Sequence, residues 1–256
     1  MKELRHKSGA PLDPSSILPV LPFSMNRRLF MRWAGMTTAT GVLLSSCSRE
    51  TVDQVSPNGA RTAASGIGAD VDIDLGSGDV AVLNYAYALE QLEATFYQRV
   101  VANPYGGISS MEMSILKDIR DHEVAHREFF KKALGSAGIP ELAIDFNGVN
   151  FSDRMSVLTA AKTFEDIGVS AYNGAGRYLT DVNYLLTAGK IVSVEARHAA
   201  VIRELLSPNT MSFAGDDVVD PASGLDKVRK PTEVLPIAQS FVKQTIHADH
   251  FPMPSA

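Results

Sequence analysis

The chain has 256 residues, with 24 Lys and Arg against 29 Asp and Glu, 45% hydrophobic residues and a single cysteine. That composition suits one globular domain with tails and excludes disorder throughout, and one cysteine excludes any disulfide within the chain. A formal net charge of −5 with no Lys- or Arg-rich run excludes the basic footprint of a nucleic-acid binder.

Residues 25–47 read MNRRLFMRWAGMTTATGVLLSSC, an arginine pair followed by an uncharged, mildly apolar stretch. The stretch from Trp33 to Leu44 is too short to span a bilayer as a helix, so an export signal is the expected reading. It resembles a twin-arginine signal, with Arg27 and Arg28 followed one residue later by Phe30 and with Met25 as a natural start. Leu44-Ser45-Ser46-Cys47 resembles a lipobox, which implies a lipid anchor at Cys47; the alternative is release as a soluble periplasmic protein. Residues 1–46 carry six basic and two acidic residues, so their removal leaves a distinctly acidic protein.

Four parts are expected along the chain: the export region 1–47, a flexible tether 48–76, a helical bundle 77–206 and a tail 207–256. The tether is rich in Ser, Gly, Ala and Asp without periodicity. From about Asp79 the period becomes helical, and four helices are predicted over 78–102, 109–135, 153–181 and 183–206. Short connections within the first and last pairs, including Asn103-Pro104-Tyr105-Gly106-Gly107, predict two antiparallel hairpins. The stretch 136–152 between the pairs is long enough to run the length of such helices, which predicts a single long crossover. The tail is rich in Gly, Asp and Pro, with one short helix expected over Thr232–Lys243 on the bundle exterior.

The candidate chemistry lies on the helix seams, read at alternating spacings of three and four. The second helix gives Leu116, Ile119, Glu123, His126, Phe130; the fourth gives Ile191, Glu195, His198, Ile202, Leu205. In both, a Glu and a His three residues apart interrupt an apolar stripe. The first helix gives Leu83, Tyr87, Glu90, Ala94, Tyr97, and the third gives Leu158, Ala161, Glu165, Gly168, Tyr172. Four buried carboxylates need compensating cations, and two divalent metal ions supply them. One Glu from each of two helices with Glu-x-x-His from the other two is the ligand set of di-iron and di-manganese carboxylate bundles. Carboxylate and imidazole donors without a thiolate favour Fe or Mn.

The metal set is therefore Glu90, Glu123, His126, Glu165, Glu195 and His198, with Glu123 and Glu195 bridging, Glu90 and Glu165 terminal, and one His on each metal. Glu93 is an alternative to Glu90, since it lies on a second apolar stripe with Val82, Leu89, Phe96 and Val100. Glu90 is preferred because Glu90 to Tyr97 repeats the spacing of Glu165 to Tyr172, as expected of two hairpins related by a pseudo-two-fold axis; Glu93 is then a partly buried ion-pairing residue. Tyr97, Tyr172, Asp121 and Asp166 are candidate outer partners of the ligands. His122 is expected to point away from the metals, and His247 and His250 are expected to be incidental.

The stretches LNYAYALEQLEATFY, DHEVAHREFF, FEDIGVSAYNGAGRYL and VEARHAAVIREL resemble the ferritin-like domain family of exported bacterial proteins related to plant desiccation-related proteins. The resemblance covers about residues 78–206 and implies an all-α, ferritin-like four-helix bundle with the same six metal ligands. The expected chemistry is oxidation of Fe(II) or reduction of oxygen or peroxide, in the manner of a ferroxidase or a catalase-like peroxidase. The competing expectation is a stress- or desiccation-related structural protein without catalytic turnover. A storage cage suits the tethered N-terminus and long tail less well.

Overall fold

The structure, a computed structural model, describes residues 72–252. The export signal, the arginine pair, the lipobox at Cys47 and residues 48–71 of the tether lie outside the described residues. Among those described, no helix is long and apolar enough to cross a membrane.

The expected bundle is present. Helices α1 (Gly78–Ala102), α2 (Ser110–Leu134), α3 (Arg154–Ala175) and α4 (Val182–Leu206) form two hairpins, α1 with α2 and α3 with α4. The hairpins meet mainly through α1 and α3, with a smaller contact between α2 and α4. Side-chain caps start three of the helices: Ser109 accepts from the Glu112 amide, Asp153 from Ser156 and Asp181 from Asn183. Asp79, in the first turn of α1, accepts from the Thr180 and Asp181 amides at 2.8 Å, which ties the start of α1 to the start of α4. At the opposite end Arg154 bonds Glu112 and the Leu205 carbonyl, joining the starts of α2 and α3 to the end of α4.

α1 is buried almost all round, with an unbroken buried run from Ala81 to Ala94. One side faces the bundle; the other is covered by the crossover and the tail. Two amides on α1 hold the crossover in place. Asn84 donates to the carbonyls of Leu75 and Ala137 and accepts from the Ile139 amide, and Gln91 accepts from the Leu142 amide at 2.8 Å while donating to the Pro140 carbonyl. These bonds satisfy backbone groups of an otherwise irregular buried segment. Ile139, Leu142 and Phe146 then fill the core beside α1.

Three expectations are corrected. Residues 72–76 are not free tether: β1 (Asp72–Asp74) pairs in parallel with β2 (Thr245–His247), and Ile73 and Leu75 are buried. The third helix ends at Ala175 rather than 181, passing into a 3-10 turn over Gly176–Tyr178. The tail helix, α5, spans Pro231–Gln239 and packs on α3 and α1. Its approach requires Gly174, where a Cβ would fall 1.8 Å from the Arg229 carbonyl oxygen. Glycine is needed there because backbone meets backbone.

Candidate metal centre

Each of the four long helices delivers its seam carboxylate to one place. Glu90, Glu123, Glu165 and Glu195 have no exposed surface, His198 is buried and the His126 side chain is 13% exposed. Two groups of ligand atoms result, each with its atoms within 4.8 Å of one another: Glu90, Glu123, His126 and Glu195, and Glu123, Glu165, Glu195 and His198. Glu123 and Glu195 belong to both.

The oxygens divide in a regular way. His126 Nδ1 lies 2.9 Å from Glu195 Oε1, 3.4 Å from Glu90 Oε2 and 3.7 Å from Glu123 Oε2. His198 Nδ1 lies 2.7 Å from Glu123 Oε1, 3.5 Å from Glu165 Oε2 and 3.6 Å from Glu195 Oε2. Each shared carboxylate thus turns one oxygen to each imidazole, while Glu90 and Glu165 turn one oxygen inward. The remaining oxygens of that second pair are occupied across the bundle axis: Tyr172 donates to Glu90 Oε1 and Tyr97 to Glu165 Oε1, both at 2.5 Å.

None of the inward atoms makes a geometrically sound hydrogen bond. Glu90 Oε2, both oxygens of Glu123 and Glu195, Glu165 Oε2 and the two Nδ1 atoms are buried without a hydrogen-bond partner. Such groups cost free energy unless something satisfies them. Without a cation, protons must do so. Burial, reinforced by the Glu195 charge, pushes the Glu90 and Glu123 carboxyls up, and burial pushes Glu165 up to about 7. Burial opposes charging His126, but the facing carboxylates outweigh it and push the imidazole up to about 12; His198 is raised in the same way. Burial would raise Glu195 too, yet its place between the two imidazoles holds it down to about 2. The cluster therefore retains positive charge among its carboxylates. Four carboxylates and two neutral imidazoles balance two divalent ions, and hard oxygen with imidazole nitrogen is a donor set that suits them.

Glu93 is in neither group. It is buried, not a partly exposed ion-pairing residue as expected. Burial, with the charges of Glu123, Glu195, Glu165 and Glu90, pushes its carboxyl well up, so it is held neutral. Its room comes from Gly168, which follows Glu165 by three residues as Glu93 follows Glu90; a Cβ on Gly168 would stand 2.9 Å from Glu93 Oε1.

The other sequence-derived candidates divide. Tyr97 and Tyr172 donate to Glu165 and Glu90, respectively. Asp121 instead pairs with Arg120 at 2.7 Å on the surface, its side chain 65% exposed. Asp166 pairs with Arg203, which also binds Asp217 and the Ser212 carbonyl and so anchors the tail to α4. His247 and His250 face Asp72 and Asp74 at the exposed edge of the two-stranded sheet. His122 does not point away: its Nδ1 lies 2.9 Å from His198 Nε2. Its only sequence signal is adjacency to Glu123.

Residues 78–208 match the ferritin-like domain family. That stretch is more than half of the chain and contains all four long helices, and the chain belongs to this family. No curated protein matches the sequence.

Proposed function

We propose that this ferritin-like protein holds two divalent metal ions, Fe or Mn, and uses them to oxidise Fe(II) or to reduce oxygen or peroxide in the cell envelope. The observation that carries the reading is the division of the Glu123 and Glu195 oxygens between His126 and His198. Glu123 and Glu195 would bridge, Glu90 with His126 and Glu165 with His198 would complete the two positions, and the Tyr172 and Tyr97 hydroxyls would keep each terminal Glu to one inward oxygen. Metals held this way supply redox change and Lewis acidity. The protein's own part is to fix the donors, exclude bulk water and keep the carboxylate charge in balance.

A small reactant fits the surroundings. The four helices line a part-open apolar pocket beside Tyr172, with Leu83, Ala86, Phe130, Ala171 and Ala188 on its walls and a volume of about 20 Å³, room for about one water-sized molecule. Export rests on Arg27 and Arg28, and a lipid anchor on Cys47.

The test adds Fe(II) to metal-free mature protein and follows oxygen consumption, peroxide loss and the optical spectrum. Turnover beyond two Fe(II) per chain supports the enzyme reading. Two equivalents bound without turnover would leave a structural, stress-related role as the better account. Export is tested by changing Arg27 and Arg28 together to Lys, which should hold the protein in the cytoplasm, and the anchor by Cys47→Ser, which should release it from membranes.

A further inference from the structure

The two halves of the centre are not equivalent, and the difference lies outside the six ligands. His122 precedes Glu123 on α2 and is exposed, yet its ring meets that of His198 on α4. The ring planes lie within 10° of each other with centroids 5.2 Å apart, and the 2.9 Å contact runs from His122 Nδ1 to His198 Nε2. The two imidazoles therefore lie nearly in one plane and join edge to edge through nitrogen.

We infer that His122 is a positioning residue that fixes the ring of His198 and makes the His198 metal position the tighter of the two. The inference rests on the two-metal reading above. His198 turns Nδ1 toward Glu123, Glu165 and Glu195. An imidazole that binds metal through Nδ1 carries its proton on Nε2, so that nitrogen is a donor. His122 Nδ1 must then accept, which places the His122 proton on Nε2. A histidine ligand whose far N–H is anchored is fixed in tautomer and orientation and is a better donor to the metal.

The other half has no such residue at the matching place. Under the pseudo-two-fold relation of the hairpins, the counterpart of His122 is the residue before Glu195, which is Val194. A valine side chain accepts no hydrogen bond. The structure thus backs His198 with an imidazole, and the sequence puts an aliphatic residue at the corresponding position of the other hairpin.

The experiment uses the mature chain, with Zn(II) as a diamagnetic probe of both positions. Calorimetric titration should show two unequal steps. His122→Leu should weaken the tighter step by about 10–100-fold, the range typical of removing such a partner, and leave the weaker step in place. His122→Asn puts an amide oxygen near the site of Nδ1 and should restore most of the loss, which a packing role alone would not predict. In wild-type protein labelled with 15N at histidine, His198 Nε2 should be protonated and scalar-coupled to His122 Nδ1, with or without Zn(II). A protonated His122 Nδ1, or a folded His122→Leu chain with both affinities unchanged, would overturn the inference. Wild-type protein that binds no Zn(II) would overturn the two-metal reading and this inference with it. Two bound ions with unchanged affinities in His122→Leu would overturn the inference alone.

Discussion

The Tyr172 hydroxyl donates to Glu90 Oε1 at 2.5 Å, from the third helix to the first, and Tyr97 returns the same bond from the first helix to Glu165 on the third. Each tyrosine therefore completes the carboxylate of the opposite hairpin. The pair links α1 to α3 where the hairpins meet and leaves Oε2 of each terminal Glu facing inward.

Removing one of these hydroxyls should cost stability while leaving the ligand set intact. Tyr172→Phe strands a buried carboxylate oxygen, which costs about 1–3 kcal/mol. Denaturant unfolding of the metal-free variant should show that loss, and metal content should stay within error of wild type. Tyr97→Phe should behave alike, because the two bonds match. Loss of metal from either variant would assign the tyrosine a direct part in binding.

Glu93 and Gly168 make a second test. Glu93 is held neutral by burial and by the carboxylates around it, so Glu93→Gln should change neither metal content nor stability by much at neutral pH. Gly168→Ala would put a Cβ 2.9 Å from Glu93 Oε1, so the end of that side chain must shift. The helix-propensity gain of alanine offsets the shift, so stability should stay within about 1 kcal/mol of wild type. If Glu93→Gln abolishes metal binding while Glu90→Gln does not, the first-helix ligand must be reassigned.

The pH dependence of metal-free protein has a definite sign. Glu165 titrates near 7 when folded, above its ordinary 4.5, so its contribution is full below pH 4.5 and is lost as pH rises through about 7. Asp217, held down to about 2 by Arg203, contributes above 3.8 and does not change within that window. Thermal melts of metal-free protein should therefore show lower stability at pH 8 than at pH 5. Added metal should reverse the trend, because metal competes with the same protons for the carboxylates and imidazoles. Parallel pH profiles for metal-free and metal-loaded protein would contradict this.

The seams of α2 and α4 were legible because each helix has one apolar face and its ionisable residues interrupt it at a spacing of three. On α1 that logic weakens. Its burial is nearly complete, so Glu90 and Glu93 both stand on apolar stripes, and only the repeated Glu-to-Tyr spacing separates them. The end of α3 was misplaced because the chain beyond its 3-10 turn is held by a distant residue: the Thr180 and Asp181 amides donate to Asp79, about 100 residues earlier. β1 is three residues long, and its partner Thr245–His247 lies at the other end of the described chain, so no local pattern announces it. His122 was missed for the same reason: helix periodicity places it relative to its own neighbours, whereas its partner is 76 residues away on α4.

Metal analysis of folded mature protein, prepared from Fe- and Mn-replete medium, tests the central claim most directly. The account predicts close to two ions per chain. Glu123→Gln or Glu195→Gln should lose more metal than Glu90→Gln or Glu165→Gln, because each of the first pair gives one oxygen to each position. A folded wild-type chain that holds no metal would contradict the account, and equal losses from all four variants would contradict the bridging assignment.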